Sequence, residues 1–118
     1  MAESRLIVQE KENALVVSFP AHSMLDMSAV EAVGSELLGL VQPGRPCQLV
    51  LDLSNVSFLS SPALSMLLQL RRKTDTVVGE VVLCGVRPEI ERLFRITRLD
   101  KLFRFYESQE QALAHFKQ

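Results

Sequence analysis

At 118 residues, 47% hydrophobic and 23% charged, the chain has the make-up of one soluble globular domain, spanning 1–118, that is long enough to bury a core. Its net charge of −1 gives no overall pull toward nucleic acid or an anionic membrane. Met1 to Gln9 holds no long apolar run and no apolar stretch could span a bilayer, so the expected class is a cytoplasmic protein without a signal peptide or direct membrane insertion.

In chain order, Arg5 to Glu10 and Ala14 to Phe19 read as two strands joined at the polar Glu10-Lys11-Glu12-Asn13 segment, an opening hairpin. Pro20 to Met27 reads as a loop. Ser28 with Glu31 has capping-box spacing, and Val30, Val33, Leu37, Leu40 and Val41 then recur at helical intervals until Pro43-Gly44 and Pro46 stop the helix. Gln48 to Leu53 is almost continuously apolar, as suits a strand covered on both faces. A short loop ends at Ser60-Ser61-Pro62. Proline is favoured at the first helical position, which makes Ser61 the expected N-cap of a second helix running to about Asp75 through Leu64, Met66, Leu67, Leu68 and Leu70. Glu80 to Cys84 is another strand, and Pro88 opens a third helix through Ile90, Leu93 and Phe94. Leu102 to Tyr106 reads as a last short strand. Ser108 with Gln111 caps a terminal helix bearing Ala112, Leu113 and Phe116. The order β-β-α-β-α-β-α-β-α predicts an α/β fold: a mixed, mainly parallel sheet of about five strands with helices packed on one face.

Catalytic and cofactor motifs are absent from the sequence. His22 and His115 have no neighbouring Cys or carboxylate at metal-ligand spacing, and no metal is expected. No Gly-x-Ser-x-Gly elbow surrounds Ser61, although a triad of Ser61, His22 and Asp26 stays open because triad members need not be close in sequence. With five glycines and neither a Walker lysine nor a Gly-x-Gly-x-x-Gly, no cofactor is expected. Cys47 and Cys84 lie in or beside apolar strands and read as buried small hydrophobes. Arg71-Arg72-Lys73 closes the second helix, where cations complement the negative end of the helix dipole, and no aromatic platform accompanies it. An interaction module rather than an enzyme is expected, with a Ser61 hydrolase as a third reading.

Two blocks carry a resemblance. The first is Leu51-Asp52-Leu53-Ser54-x-Val56-x-Phe58-x-x-Ser61-x-x-Leu64. The second is Val81-Val82-Leu83-Cys84-x-x-x-Pro88-x-Ile90-x-x-Leu93-Phe94, followed by Leu99, Lys101 and Phe103. Over nearly its full length the chain resembles the STAS domain, most closely the single-domain bacterial anti-sigma factor antagonists. The resemblance implies partner switching: a serine-kinase anti-sigma factor phosphorylates a residue at the start of the second helix, and only the unphosphorylated domain binds the kinase. The family's Asp-Ser-x-Gly-Leu falls on Ser60, Ser61, Pro62, Ala63 and Leu64. Ser61 thereby matches the phosphoacceptor, with Ser60 as the alternative. Asp26, within Leu25-Asp26, matches an acidic loop residue that contacts the kinase. Leu25, Asp26, Ser60, Ser61, Pro62 and Ala63 form the partner-binding set, and Met24, Leu25 and Met27 are either core-facing loop residues or an apolar rim beside Ser61. Two departures are visible: Ser60 stands where the family has Asp, and Ala63 where it usually has Gly. The alternative function is a STAS scaffold or a cytoplasmic transporter subunit working without phosphorylation. No nucleic-acid partner and a monomer or weak dimer are expected.

Overall fold

The computed structural model describes residues 6–117, so Arg5, the expected start of the first strand, lies outside the described residues. Strand β1 (Ile7–Lys11) turns at Glu12 and Asn13 into β2 (Ala14–Ser18), the opening hairpin read from the polar turn. Helix α1 (Met27–Gly39) is preceded by a short strand β3 (Ser23–Leu25). Next come β4 (Cys47–Asp52), β5 (Val56–Leu59), α2 (Ser61–Thr74), β6 (Gly79–Cys84), α3 (Pro88–Ile96), β7 (Phe105–Tyr106) and α4 (Gln109–His115).

The main sheet has five strands in the order β1-β2-β4-β6-β7. β1 is antiparallel and every other pairing is parallel, as strand–helix alternation requires. β4 lies in the middle and uses both faces. Leu49 and Leu51 enter the main core with residues of α1, α2 and α3, and Val50 faces the other way, into a smaller cluster with Val16, Val82, Cys84 and Ala112. Three helices share one face, and the short α4 covers the other. The near-continuous apolar run Gln48 to Leu53 is the signature of that two-sided burial.

β3 and β5 form a separate two-stranded parallel sheet. Both lie in segments whose composition reads as loop. They pair because the backbone links them: Ser23 N–H donates to Asn55 O at 2.9 Å, and Asn55 Nδ2 donates to Phe19 O at 3.0 Å. The last strand is shorter than Leu102 to Tyr106. Arg98, at φ 63, turns the chain into a 3-10 turn at Leu99–Leu102, and Phe103 and Phe105 then stack edge-on against Phe94 at 5.7 and 5.2 Å. Gly79 is required by close approach, since a Cβ there would lie 2.0 Å from Cys47 O on the neighbouring strand.

Candidate functional site

Two helices begin side by side. Leu25 and Leu59 are register partners in the β3–β5 ladder, and Ser60 N–H donates to Leu25 O at 2.9 Å. The next residue on each strand caps a helix, Asp26 for α1 and Ser60 for α2. Residues 34 positions apart in the chain thus meet at one end of the sheet, which brings Asp26 beside the Ser60-Ser61 pair.

Both caps differ from the sequence expectation. Ser60, not Ser61, caps α2: its backbone is extended (φ −80, ψ 165), its Oγ accepts from Ala63 N at 3.2 Å, and its carbonyl accepts from Leu64 N at 3.1 Å. Pro62 is therefore the second helical residue, where its missing N–H is equally harmless. Ser61 is the first helical residue, and its exposed hydroxyl makes no side-chain hydrogen bond among the described residues. At α1 the cap is Asp26 rather than Ser28. Its Oδ1 accepts from Ser28 Oγ at 2.7 Å and from the N–H groups of Ser28 and Ala29, each at 3.1 Å. A carboxylate at a helix start outcompetes a hydroxyl two residues later because it is charged and can take several donors. The Ser28 hydroxyl, followed by the Ala29 N–H, holds the Asp26 carboxyl below the ordinary 3.8, so it is ionised at neutral pH.

Two members of the expected partner-binding set are core residues. Leu25 is 2% exposed and Ala63 is fully buried, so neither offers a side chain to a partner. Leu25 turns inward opposite Leu59, and Ala63 sits under the first turn of α2. The apolar rim is instead Met24 and Met27, 53% and 76% exposed, together with Phe58 at 44%. Met24 and Phe58 are neighbours across the β3–β5 ladder. Sequence reading missed Phe58 because an aromatic in a Val-x-Phe pattern reads as core. A register shift at Ser23/Met24 instead turns Val56 and Leu59 inward and leaves Ser57 and Phe58 outside. From Ser61 and Pro62 a shallow groove of about 680 Å³ runs between α1 and α2, lined by Val30, Leu38 and Met66 among others. At Gly34 a Cβ would come within 2.8 Å of Met66 Cγ, so the glycine lets the two helices close on each other.

The remaining candidates lie elsewhere or are occupied. Among the described residues no side-chain hydrogen bond joins Ser61, His22 and Asp26 into a triad. His115 ties α4 to the sheet, with Nδ1 2.9 Å from Tyr106 Oη and Nε2 2.7 Å from Glu80 Oε1. Cys47 and Cys84 are free and buried. Burial, with Asp52 adding its charge, pushes the Cys84 thiol up to about 12. In the basic run, Arg71 donates to Leu102 O and Lys73 to Leu38 O, which pins α2 to its neighbours. Asp52 accepts from Ser54 N at 3.0 Å and from Gln109 Nε2 at 2.7 Å, so it closes a turn and docks α4.

A model of the STAS domain family matches residues 5–112. BtrV of Bordetella bronchiseptica, which carries the name of an anti-sigma factor antagonist, is 31% identical over 94 residues, 80% of each chain. The crystal structure of an anti-sigma factor antagonist from Mycobacterium paratuberculosis superposes with a TM-score of 0.82 at 28% identity, covering 96% of this chain and 93% of that one. A STAS domain protein from Planctomyces limnophilus shares the fold with a TM-score of 0.86 at 24% identity, over 96% of this chain and 98% of the other.

Proposed function

We propose a function that proceeds from family membership: the chain belongs to the STAS domain family, in the branch of the anti-sigma factor antagonists. On this reading it is a cytoplasmic, single-domain, non-enzymatic regulator that binds a serine-kinase anti-sigma factor, and phosphorylation of Ser61 releases that partner. One observation carries the choice of Ser61. Capping of α2 falls to Ser60, which leaves the Ser61 hydroxyl exposed and without a structural task.

A phosphate on Ser61 brings about −1.5 to −2 charges at neutral pH. At the first turn of α2, which carries no acidic side chain, that charge meets the positive pole of the helix, so the domain stays folded. The cost falls on the interface. A partner covering Met24, Met27 and Phe58 must also desolvate the phosphate next to ionised Asp26, and that penalty is paid only in the bound state.

The test is capture of partners from lysate of the native host by wild-type protein and by Ser61→Asp, with melting temperature followed in parallel. A serine-kinase anti-sigma factor bound by wild type and weakened at least about thirtyfold by Ser61→Asp, roughly 2 kcal/mol, is the expected result. Equal capture by both proteins at unchanged melting temperature refutes the switch, and a scaffold or transport partner in that position selects the phosphorylation-independent alternative.

A further inference from the structure

The outer strand of the main sheet is unguarded. β1 is an edge and pairs on one side only, with β2. All of its residues are exposed, and Ile7 and Val8 are 48% and 38% exposed. Edge strands are normally shielded against further pairing by a proline, a bulge or a lysine. Ile7–Lys11 holds no proline, and its register with β2 runs unbroken from Ile7–Ser18 to Lys11–Ala14. Lys11 is its one cation, and that amine is turned back to Gln109 Oε1 of α4 at 3.3 Å. Glu12, in the turn, is likewise taken by Lys117 at 2.6 Å. Glu10 is left as the one charge of the strand, without an ion pair among the described residues.

The hairpin fixes which backbone groups face the open side. Its two-residue turn, Glu12-Asn13, is closed by the Lys11–Ala14 pair. Ile7, Gln9 and Lys11 therefore spend their N–H and C=O groups on β2, and those of Val8 and Glu10 point outward. Val8 is the register partner of Val17, a fully buried residue of the main core, and Leu6 packs against the same core. Leu6 and Val8 thus form the open margin of that core.

We propose that β1 is the contact surface of a homodimer, in which two copies of this chain join their β1 strands antiparallel about a two-fold axis at Val8. Val8 then faces the partner's Val8, Leu6 the partner's Glu10, and Ile7 the partner's Gln9. An antiparallel edge paired with itself is self-complementary, since every outward N–H meets an outward C=O of the second copy. Glu10 selects the register. About Val8 the two Glu10 carboxylates stand four residue steps apart, roughly 13 Å, beyond the screening length of about 8 Å. About Gln9, the other symmetric register, they stand two steps apart, roughly 7 Å, and about four hydrogen bonds replace about six. The axis at Val8 also sets the two open core margins against each other. A second copy supplies this match by symmetry, and pairing ends at two because each copy has one β1. Two short strands joined edge to edge cover less than the roughly 1,200 Å² of a stable complex, so the dimer is weak, with a Kd of about 0.1–1 mM. None of Leu6 to Lys11 belongs to the surface around Ser61, so the inference does not rest on the phosphorylation reading.

The experiment is sedimentation equilibrium of the full chain from about 20 μM to about 1 mM, with amide hydrogen exchange of the ¹⁵N-labelled chain at both ends of that range. A reversible dimer is expected, with exchange of the Val8 and Glu10 amides slowed at the high concentration and that of Gln9, already bonded to β2, changed less. Val8→Lys sets two like charges opposite each other and should weaken the dimer at least about tenfold, while its amide spectrum and melting temperature report that it is folded. Val78→Lys, at a residue 78% exposed outside β1, should dimerise as wild type does, and so should Ser61→Asp. A monomer throughout the range would overturn the proposal. So would a dimer that folded Val8→Lys leaves as tight, protection confined to residues outside β1, or growth beyond two copies.

Discussion

Replacing Ser60 by Ala removes one hydroxyl and tests the reassigned cap. The change leaves both backbone bonds of Ser60 in place, its N–H to Leu25 O at 2.9 Å and its carbonyl to Leu64 N at 3.1 Å. Only the bond from Ala63 N to Ser60 Oγ, 3.2 Å, is lost. Ala63 is fully buried, so water has poor access to the N–H left behind. Loss of an N-cap costs about 1 kcal/mol in general, and an unpaired buried donor raises that toward about 2 kcal/mol. For a domain of 118 residues this corresponds to a fall in melting temperature of about 4–8 °C, measurable by circular dichroism or calorimetry. Ser61→Ala removes a hydroxyl with no partner and should change stability by less than about 0.5 kcal/mol. Ser60→Asp keeps a capping acceptor and should restore most of the loss. If Ser61→Ala destabilises as much as Ser60→Ala, the capping assignment is wrong, and with it the claim that the Ser61 hydroxyl is free for modification.

Two further outcomes follow from the core. Phe94 is fully buried and edge-stacked with Phe103 and Phe105, so Phe94→Ala should cost about 3–5 kcal/mol in urea unfolding and loosen the chain between α3 and β7; a cost under about 1 kcal/mol would contradict that packing. The Cys84 thiol, raised from 9.0 to about 12 by burial first and by Asp52 second, is an acid favoured neutral in the fold. Its contribution to stability is therefore complete below pH 9 and is lost as pH climbs from about 9 toward 12. Cys84→Ala should flatten that alkaline decline relative to wild type, and an unchanged pH profile would count against the shift.

Local chemistry determined most of the architecture from the sequence alone. The alternation of strands and helices, the hairpin, the two-sided burial of Gln48 to Leu53 and the helices opened at Pro62, Pro88 and Ser108 all rest on residue periodicity and turn chemistry, which act over a few neighbours. Ser61 and Asp26 were legible as candidate site residues through the motif around them. Only tertiary structure decided what surrounds them. β3 and β5 are too short to announce themselves, and they become strands because each supplies the other's hydrogen bonds. That pairing sets two helix starts side by side, assigns capping to Asp26 and Ser60, buries Leu25 and Ala63, and turns Phe58 outward.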